Sequence, residues 1–279
     1  MNNPETGLPL QGRTIAVPEN RALDLFARLL EQRGAQVLRC PLVDILNAPD
    51  PAPVLDWLRR FNAGACDDLI LLTGEGLRRL LSCLDQHAPE LRDAFIAQLG
   101  RTRLLTRGPK PGAALRELGI KPQLTAEQPT TAGVIATLSK LDLHGRRVGV
   151  QLYGTEPNLP LTDFLRGAGA EISVVAPFIY ADAAADEQVR ALIARLKEGG
   201  VDAIAFTSKA QVERLFKVAE ASALEPTLRA GLARTLVAAV GPVVAETLAA
   251  RQVPVALMPQ ESYFLKPLTQ ALVEALGTR

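Results

Sequence analysis

Four short sequence blocks occur twice in this chain, in the same order and at nearly the same spacing. The block at Gly12–Val17, GRTIAV, recurs 133 residues later at Gly145–Val150 as GRRVGV. Arg33–Ile45 likewise matches Ala168–Asp182. The two remaining pairs are Asp68–Thr73 with Asp202–Thr207, and Leu104–Pro109 with Val237–Pro242. Because the spacing varies by only one or two residues, the repeats predict one α/β unit that is written twice.

Each copy alternates short runs of Val, Ile, Leu and Ala with amphipathic helical patterns. Val148–Val150 is typical of a buried strand, and Leu161, Phe164 and Leu165 then share one face of a helix that ends at Gly167 or Gly169. This alternation is typical of parallel sheets flanked by helices. The predicted fold class is α/β, with two similar domains that each contain such a sheet and that a two-stranded connection joins.

Two equivalent segments contain proline and read as extended chain, namely Pro41–Ile45 and Pro177–Asp182. If the chain crosses between domains at both, the inserted domain comprises residues 46–176. The other domain is then discontinuous, with residues 1–40 and 181–279, and the crossings are residues 41–45 and 177–180. A sequential division near residue 140 is the alternative.

The composition limits the classes of protein. A chain of 279 residues is long enough for two domains, and its net charge of +1 argues against a general binder of nucleic acid or of acidic membranes. Three cysteines without a CxxC motif, Cys40, Cys66 and Cys83, suit free thiols in a reducing compartment. Neither a signal peptide nor a membrane-spanning run occurs, so we expect a cytoplasmic protein in which Met1–Gln11 is a loose polar lead-in.

Polar residues and glycines follow the predicted strands. Ligands of open parallel sheets bind beyond the carboxyl ends of the strands, where the amides of helix N-termini face the ligand. Such loops, with a few cations, suit a polyanion and above all a polycarboxylate, although Thr and Ser there are also ordinary helix caps. The candidate binding residues are Pro18, Asn20, Thr73, Gly74, Arg107, Gly108, Lys110, Gly154, Thr155, Thr207, Ser208, Lys209, Gly241, Pro242 and Val243.

Several familiar chemistries find no support in the sequence. Gly74 and Gly76 begin a dinucleotide fingerprint, but Arg79 occupies the position of its third glycine. His87 and His144 stand apart from any metal-ligand spacing, and neither a phosphate-binding GxxxxGK[ST] loop nor a GxSxG elbow is present. If the protein is an enzyme, we therefore expect it to work without a metal or a redox cofactor.

Three features together resemble the uroporphyrinogen-III synthase family. They are a strand that ends in Phe206–Ser208, a helix that opens after Ala239–Pro242, and Tyr180 at a crossing between the repeats. The resemblance implies a duplicated α/β architecture and the conversion of linear hydroxymethylbilane to uroporphyrinogen III. Family members close the macrocycle while they invert the last pyrrole ring, and they need no cofactor. Tyr180 matches the family tyrosine implicated in departure of the substrate hydroxyl; the alternative is an aromatic side chain that packs against an interdomain strand.

The resemblance also implies the partners of the chain. The substrate is a small linear tetrapyrrole, and hydroxymethylbilane synthase is the enzyme that hands it over. We expect neither a nucleic acid nor a membrane as a partner, and we expect the protein to be a monomer. The chain departs from the family pattern at Thr73–Gly76, Thr106–Pro111 and Val244. These departures indicate a divergent branch, which either contacts substrate through Arg107 and Lys110 or binds a tetrapyrrole without cyclising it. A two-domain small-molecule binding protein is the third hypothesis.

Overall fold

The structure is a computed structural model, and it describes residues 7–182 and 185–277. Contacts divide the chain into two compact units. Unit 1 comprises Met1–Asp44 and Ala181–Arg279, and unit 2 comprises Ile45–Tyr180. The two breaks lie within segments that the sequence predicts as crossings or at their ends, but the division into an inserted and a discontinuous domain stays a prediction.

Most strands of the described chain are followed directly by a helix. The strands are β1 (Thr14–Val17), β2 (Gln36–Arg39), β3 (Val43–Asn47), β4 (Asp68–Leu71), β5 (Arg103–Thr106), β6 (Leu124–Thr125), β7 (Arg147–Gln151), β8 (Glu171–Val175), β9 (Phe178–Asp182), β10 (Ala203–Phe206) and β11 (Leu236–Ala239). The helices are α1 (Leu23–Glu31), α2 (Ala52–Asn62), α3 (Gly74–His87), α4 (Arg92–Arg101), α5 (Pro109–Arg116), α6 (Thr131–Leu138), α7 (Leu159–Gly167), α8 (Asp186–Lys197), α9 (Lys209–Ala221), α10 (Glu225–Leu232), α11 (Pro242–Ala250) and α12 (Leu265–Leu276). The predicted α/β class is confirmed.

Unit 2 contains a five-stranded parallel sheet in the order β6-β5-β4-β7-β8. Its central strand β4 is buried along its whole length. Successive side chains of a strand point to opposite faces, so Leu69 and Leu71 join one apolar cluster, whereas Ile70 and Leu72 join another. Burial on both faces explains why β4 reads as a continuous apolar run and not as an alternating one.

Unit 1 contains a four-stranded parallel sheet in the order β11-β10-β1-β2. Ile15 lies opposite Ala203 on one side and opposite Val37 on the other. Every residue of β10 is fully buried, as its composition of Ala, Ile and Phe requires. Of the predicted loose lead-in Met1–Gln11, residues 1–6 lie outside the described residues. Its described part is less loose than we expected, because Leu10 is fully buried and its N–H donates to the carbonyl of Arg33 at 2.7 Å.

The repeated blocks lie on corresponding strands of the two sheets. The order β11-β10-β1-β2 in unit 1 corresponds, block by block, to β5-β4-β7-β8 in unit 2, where β6 is added at the edge. The matched glycines Gly34 and Gly169 both adopt the left-handed backbone that glycine favours, with φ of 90° and 77°. These correspondences support our proposal of an internal duplication.

Strands β3 and β9 pair with each other and form a separate two-stranded sheet. The N–H of Ala48 donates to the carbonyl of Pro177 at 3.2 Å just beyond this pairing. Pro177 immediately precedes β9, where its missing N–H costs the strand no hydrogen bond. Within the described ranges, we find no helix that combines the length and apolar character needed to cross a membrane.

Candidate functional site

The carboxyl edge of the sheet in unit 2 gathers about half of the predicted site residues. From the central β4 the chain first builds β5 and β6 to one side and then β7 and β8 to the other. The loops that follow β4 and β7 therefore diverge, and such a switch point is where open α/β sheets bind ligands. The predicted residues in these loops and in the loop after β5 are Thr73, Gly74, Arg107, Gly108, Lys110, Gly154 and Thr155.

Thr73 is the N-cap of α3. Its backbone is extended, and its hydroxyl accepts a hydrogen bond from the N–H of Gly76 at 2.8 Å. The N–H of Thr73 donates to Oε1 of Gln151 at 3.1 Å, at the end of β7. Gln151 is fully buried, and a Cβ on Gly76 would lie 2.0 Å from its amide. The helix-capping interpretation of Thr73 is therefore correct, and Gln151 fixes the loop after β4 against β7.

The loops after β4 and β5 lie against each other. A Cβ on Gly74 would come within 2.6 Å of the carbonyl oxygen of Lys110, so only a glycine lets these two backbones approach. Gly108 packs in the same way against Pro129, where the corresponding distance is 2.8 Å. The first turns of α3 and α5 thus present their N-termini side by side, and Lys110 belongs to that edge.

Aromatic side chains connect the loop after β7 to the loop after β5. The guanidinium carbon of Arg107 lies 5.2 Å from the ring centre of Tyr153. The ring of Tyr153 lies 5.4 Å from that of Tyr180, which in turn meets Phe178 edge-on at 5.4 Å. Gly154 has φ of 63°, and a Cβ there would lie 3.2 Å from the Tyr180 ring. Tyr180, Gly154 and Arg107 are therefore brought together, whereas Thr155 is an exposed turn residue beside them.

Arg79, which excludes the dinucleotide fingerprint, has a structural contact. It pairs with Glu75 at 2.7 Å on the preceding turn of α3. Its other nitrogens donate to Oδ1 of Asn47 at 2.9 Å and to the carbonyl of Ile45 at 2.8 Å. The arginine thus fixes β3 to the helix that begins at the candidate site.

Unit 1 has a second polar cluster at its own switch point, between β1 and β10. The hydroxyl of Thr207 and the amide of Gln211 both donate to the Glu19 carboxylate. Gln211 is buried in the first turn of α9, and its Oε1 accepts from the N–H groups of Thr207 at 2.8 Å and of Ser208 at 3.2 Å. The predicted residues Thr207 and Ser208 are thus joined to the Pro18–Asn20 loop through Glu19.

The other predicted residues of unit 1 have different contacts. Asn20 donates to Asp44 at 3.0 Å, and Lys209 pairs with Glu213 on the next turn of α9 at 3.3 Å. A Cβ on Gly241 would lie 3.0 Å from the Tyr263 side chain. Pro18 directly follows β1, whereas Pro242 and Val243 form the first turn of α11 after β11. These residues therefore lie in the loop regions that follow three neighbouring strands.

Sequence reasoning missed three polar residues of the two clusters. Gln211 could have been found, because Ser208 and Gln211 have the spacing of a capping box. Gln151 carried a weaker signal, a polar residue at the end of the apolar run in β7. Tyr153 stands beside a predicted glycine, but its contacts with Arg107 and Tyr180 depend on packing that no local pattern shows.

The chemistry that these loops offer is anion binding and hydrogen-bond donation. Two cations, the N-termini of α3 and α5, and the two phenols of Tyr153 and Tyr180 lie at the edge of the sheet in unit 2. Across residues 7–182 and 185–277, His, Cys, Asp and Glu side chains do not form a group of three or more that could hold a metal ion. Both units thus have the architecture of one class of protein, an α/β protein with an open parallel sheet and polar loops at the carboxyl ends of its strands.

The family profile described as uroporphyrinogen-III synthase HemD matches residues 24–270 of this chain. The chain belongs to the uroporphyrinogen-III synthase family. It is 31% identical over 243 residues to the Bacillus subtilis protein YjjA, which is described as uncharacterized, and the match covers 87% of this chain and 88% of that relative.

Solved structures of the family are similar to this chain. One is a mutant uroporphyrinogen III synthase from the extremely thermophilic bacterium Thermus thermophilus, with a TM-score of 0.74, 26% identity, and coverage of 95% of this chain and 99% of that one. Another is the uroporphyrinogen-III synthetase of Helicobacter pylori, with a TM-score of 0.54, 15% identity, and coverage of 94% and 99%. The first likeness extends the family assignment to the structure, and the second shows the fold alone.

Proposed function

We propose that this protein is a uroporphyrinogen-III synthase. It would cyclise hydroxymethylbilane with inversion of the terminal pyrrole ring and loss of water, in tetrapyrrole biosynthesis. Membership of the family supports the substrate class. The observation that carries the assignment is the contact of Tyr180 with Gly154 and Tyr153 beside Arg107, because it joins a phenol to a cationic loop at the carboxyl edge of a parallel sheet.

The substrate carries carboxylates on every pyrrole, so a binding site for it must stabilise several negative charges. Arg107 lies just before α5, and Lys110 lies in its first turn. The N-terminus of α3 lies beside them, because Gly74 packs against the backbone of Lys110. Helix N-termini and cations at one edge attract carboxylates without a strong acid or base. The same loops hold the bilane folded, and a folded bilane favours ring closure at the substituted carbon over simple end-to-end closure.

The first chemical step breaks the bond between the hydroxymethyl carbon and its oxygen. The hydroxyl takes up one proton from solvent and leaves as water, and an azafulvene cation remains on the bilane; ring closure at the substituted carbon later returns one proton to solvent. Tyr180 assists by donating a hydrogen bond to the departing oxygen. A phenol with an ordinary pKa of about 10 is a weak acid near neutrality, so this donation and not full proton transfer is its expected role.

The decisive assay incubates the protein with freshly made hydroxymethylbilane and resolves the type I and type III isomers. Hydroxymethylbilane closes to type I without an enzyme, so a predominance of type III establishes the synthase. Formation of type I alone, at the rate seen without protein, would contradict the proposal.

The role of Tyr180 is tested by Tyr180→Phe, which removes the hydroxyl and keeps the ring packed against Phe178. We expect kcat to fall with KM nearly unchanged, and a loss of about 10²-fold or more would indicate that the phenol acts as a full general acid. A smaller loss indicates that folding of the bilane supplies most of the acceleration. A wild-type rate with only type III product would show that Tyr180 is a packing residue.

A specific observation also favours a second function, that of a regulatory protein that binds a tetrapyrrole without cyclising it. In the divergent loop Thr73–Gly76, the Thr73 hydroxyl accepts a hydrogen bond from the N–H of Gly76 and caps α3. This hydroxyl therefore has a structural role that does not require catalysis. Tight binding of hydroxymethylbilane without formation of type III would support this alternative.

We further propose that the enzyme is cytoplasmic and monomeric, that it works without a cofactor, and that it receives its substrate from hydroxymethylbilane synthase. Turnover by metal-free protein in the presence of a chelator tests the cofactor proposal, and sedimentation at working concentration tests the oligomeric state.

A further inference from the structure

The ring of Tyr153 contacts both Arg107 and Tyr180 of the candidate site. We propose that Tyr153 is a positioning residue, which contacts both the Arg107 guanidinium and the Tyr180 ring and thereby sets the isomer ratio of the product. This inference rests on the proposed synthase function and deepens it.

The contacts of the Tyr153 ring carry the inference. Arg107 lies over that ring at 5.2 Å, a distance at which a cation is attracted to the electron-rich face. Tyr180 meets the same ring at 5.4 Å with an angle of 43° between the two planes. One side chain therefore contacts both residues whose roles in binding and in hydroxyl departure we propose.

The backbone gives Tyr153 a defined place. The residue follows β7 by two positions and forms an antiparallel bridge with Glu156. Gly154 turns the chain between them with φ of 63°, and the turn packs against the Tyr180 ring. A turn of this kind next to a buried strand keeps the Tyr153 ring in one orientation, as a positioning role requires.

The type of contact suits a residue that binds carboxylate. A cation–π contact attracts the guanidinium to the electron-rich face of the ring and so fixes where the charge lies. Tyr153 can thus place the Arg107 cation at the edge where we propose that a substrate carboxylate binds. Since the same ring touches Tyr180, the anchored carboxylate and the departing hydroxyl are held at a fixed separation.

The test compares Tyr153→Leu with Tyr153→Phe. We expect the Leu variant to raise KM about tenfold, as loss of a cation–π contact allows, and to lower the fraction of type III product. The Phe variant keeps the ring, so it should recover most of the affinity and the type III fraction. A purely structural role would change the amount of folded protein but not the isomer ratio per folded molecule.

A double-mutant cycle tests the coupling of Tyr153 to Arg107. If Tyr153 acts through Arg107, Arg107→Ala should raise KM much less in the Tyr153→Leu background than in the wild type. Arg251→Gln is a matched control, because Arg251 also lies over an aromatic ring, that of Phe216 at 5.2 Å, but in unit 1. We expect this control to keep both KM and the isomer ratio.

A measurement without substrate separates this inference from the proposed function. The Tyr153 ring should shift the side-chain proton resonances of Arg107, and Tyr153→Leu should abolish that shift. If wild-type protein makes only type I, the synthase assignment fails, whatever this spectrum shows. If wild-type protein makes type III while the Leu variant keeps its KM and isomer ratio, or if Arg107 shows no ring shift, the positioning role of Tyr153 is wrong.

Discussion

At the scale of single residues, the site depends on glycines that admit another group at short distance. Gly76 lies against the Gln151 amide, and Gly74 lies against the Lys110 carbonyl. Gln151 in turn accepts from the N–H of Thr73 and donates to the carbonyl of Leu152. A methyl group at either glycine would displace the group packed against it, so these positions determine the geometry of the loop after β4.

Gly76→Ala should therefore destabilise the protein although alanine favours helices. The added Cβ would meet the buried Gln151 amide at 2.0 Å, and we expect a loss of about 1–3 kcal/mol from overpacking and broken hydrogen bonds. Urea unfolding gives the value. Gly100→Ala in α4 is the matched control, since no atom lies within 4 Å of its Cβ, and it should stabilise by up to about 1 kcal/mol. Equal effects of the two substitutions would contradict this account.

Asp67 predicts a pH dependence of stability. Hydrogen bonds from the side chain and backbone of Arg147 lower the pKa of Asp67 from 3.8 to about 2. A carboxyl with a lowered pKa in the folded state stabilises fully above its ordinary pKa and loses that contribution as the pH falls through the folded value. The contribution of Asp67 should thus be present at neutral pH and fade between about pH 4 and pH 2.

Thermal unfolding of Asp67→Asn against wild type checks this dependence. The variant should have the lower Tm at pH 7, and the difference should shrink as the pH falls toward 2. A difference in Tm that stays constant from pH 7 to pH 2 would show that the charge of Asp67 is not the cause.

At the scale of elements, an aspartate fixes the amino ends of three strands in unit 2. Asp68 begins β4, and its carboxylate accepts from Arg103 at the start of β5 and from Arg146 just before β7. Unit 1 has a corresponding pair, because Asp202 before β10 binds Arg13 before β1 at 3.0 Å. The matched blocks of the sequence thus supply the two members of an ion pair in each unit.

Asp68→Ala should lower the free energy of unfolding by more than the removal of a surface ion pair does. The Asp68 side chain is only 8% exposed, so the substitution leaves two arginines without their shared partner. Both arginines are about one third exposed, and water therefore limits the expected loss to about 2 kcal/mol in urea unfolding.

Asp163→Ala in α7 is the matched control, because Asp163 pairs with Arg166 at the surface, where both side chains are more than half exposed. We expect a change below about 1 kcal/mol for this variant. A loss equal to that of Asp68→Ala would contradict the role of Asp68 at the strand ends.

At the scale of the whole molecule, the chain leaves unit 1 in β3 and returns to it in β9. An arginine holds each strand to the unit that it enters. Arg79 binds Ile45 and Asn47 of β3 in unit 2, and Arg214 binds Asp182 of β9 at 3.0 Å in unit 1. This connectivity agrees with our proposal of a discontinuous domain with an inserted one.

The domain proposal predicts how fragments behave. Residues 45–180 contain all strands of the five-stranded sheet, and we expect this fragment to unfold cooperatively in urea, with protected amides in β4 and β7. A fragment of residues 1–140 lacks β7 and β8, so β4 loses a neighbour and should show no cooperative transition. A cooperative 1–140 fragment together with an unfolded 45–180 fragment would favour the sequential division.

Much of the fold was predictable because it depends on local patterns. Apolar runs such as Val148–Val150 predict buried strands, and the Gly-Pro pairs at 108–109 and 241–242 mark the starts of α5 and α11. The candidate loops were predictable for the same reason, because ligands of parallel sheets bind at the carboxyl ends of strands. The contacts of Tyr153 with Arg107 and Tyr180 were not predictable, because they join segments that lie far apart in the sequence.

By itself, the sequence determined the α/β class, the places of the strands and helices, and the loops in which polar residues collect. Hydrophobic periodicity, turn residues and internal repeats fix these features through interactions between near neighbours. The tertiary structure decided which loops meet, that Glu19 accepts from Thr207 and Gln211, and that Tyr153 contacts both Arg107 and Tyr180. Such contacts depend on strand order and on the packing of distant side chains, and sequence spacing carries no direct information about either.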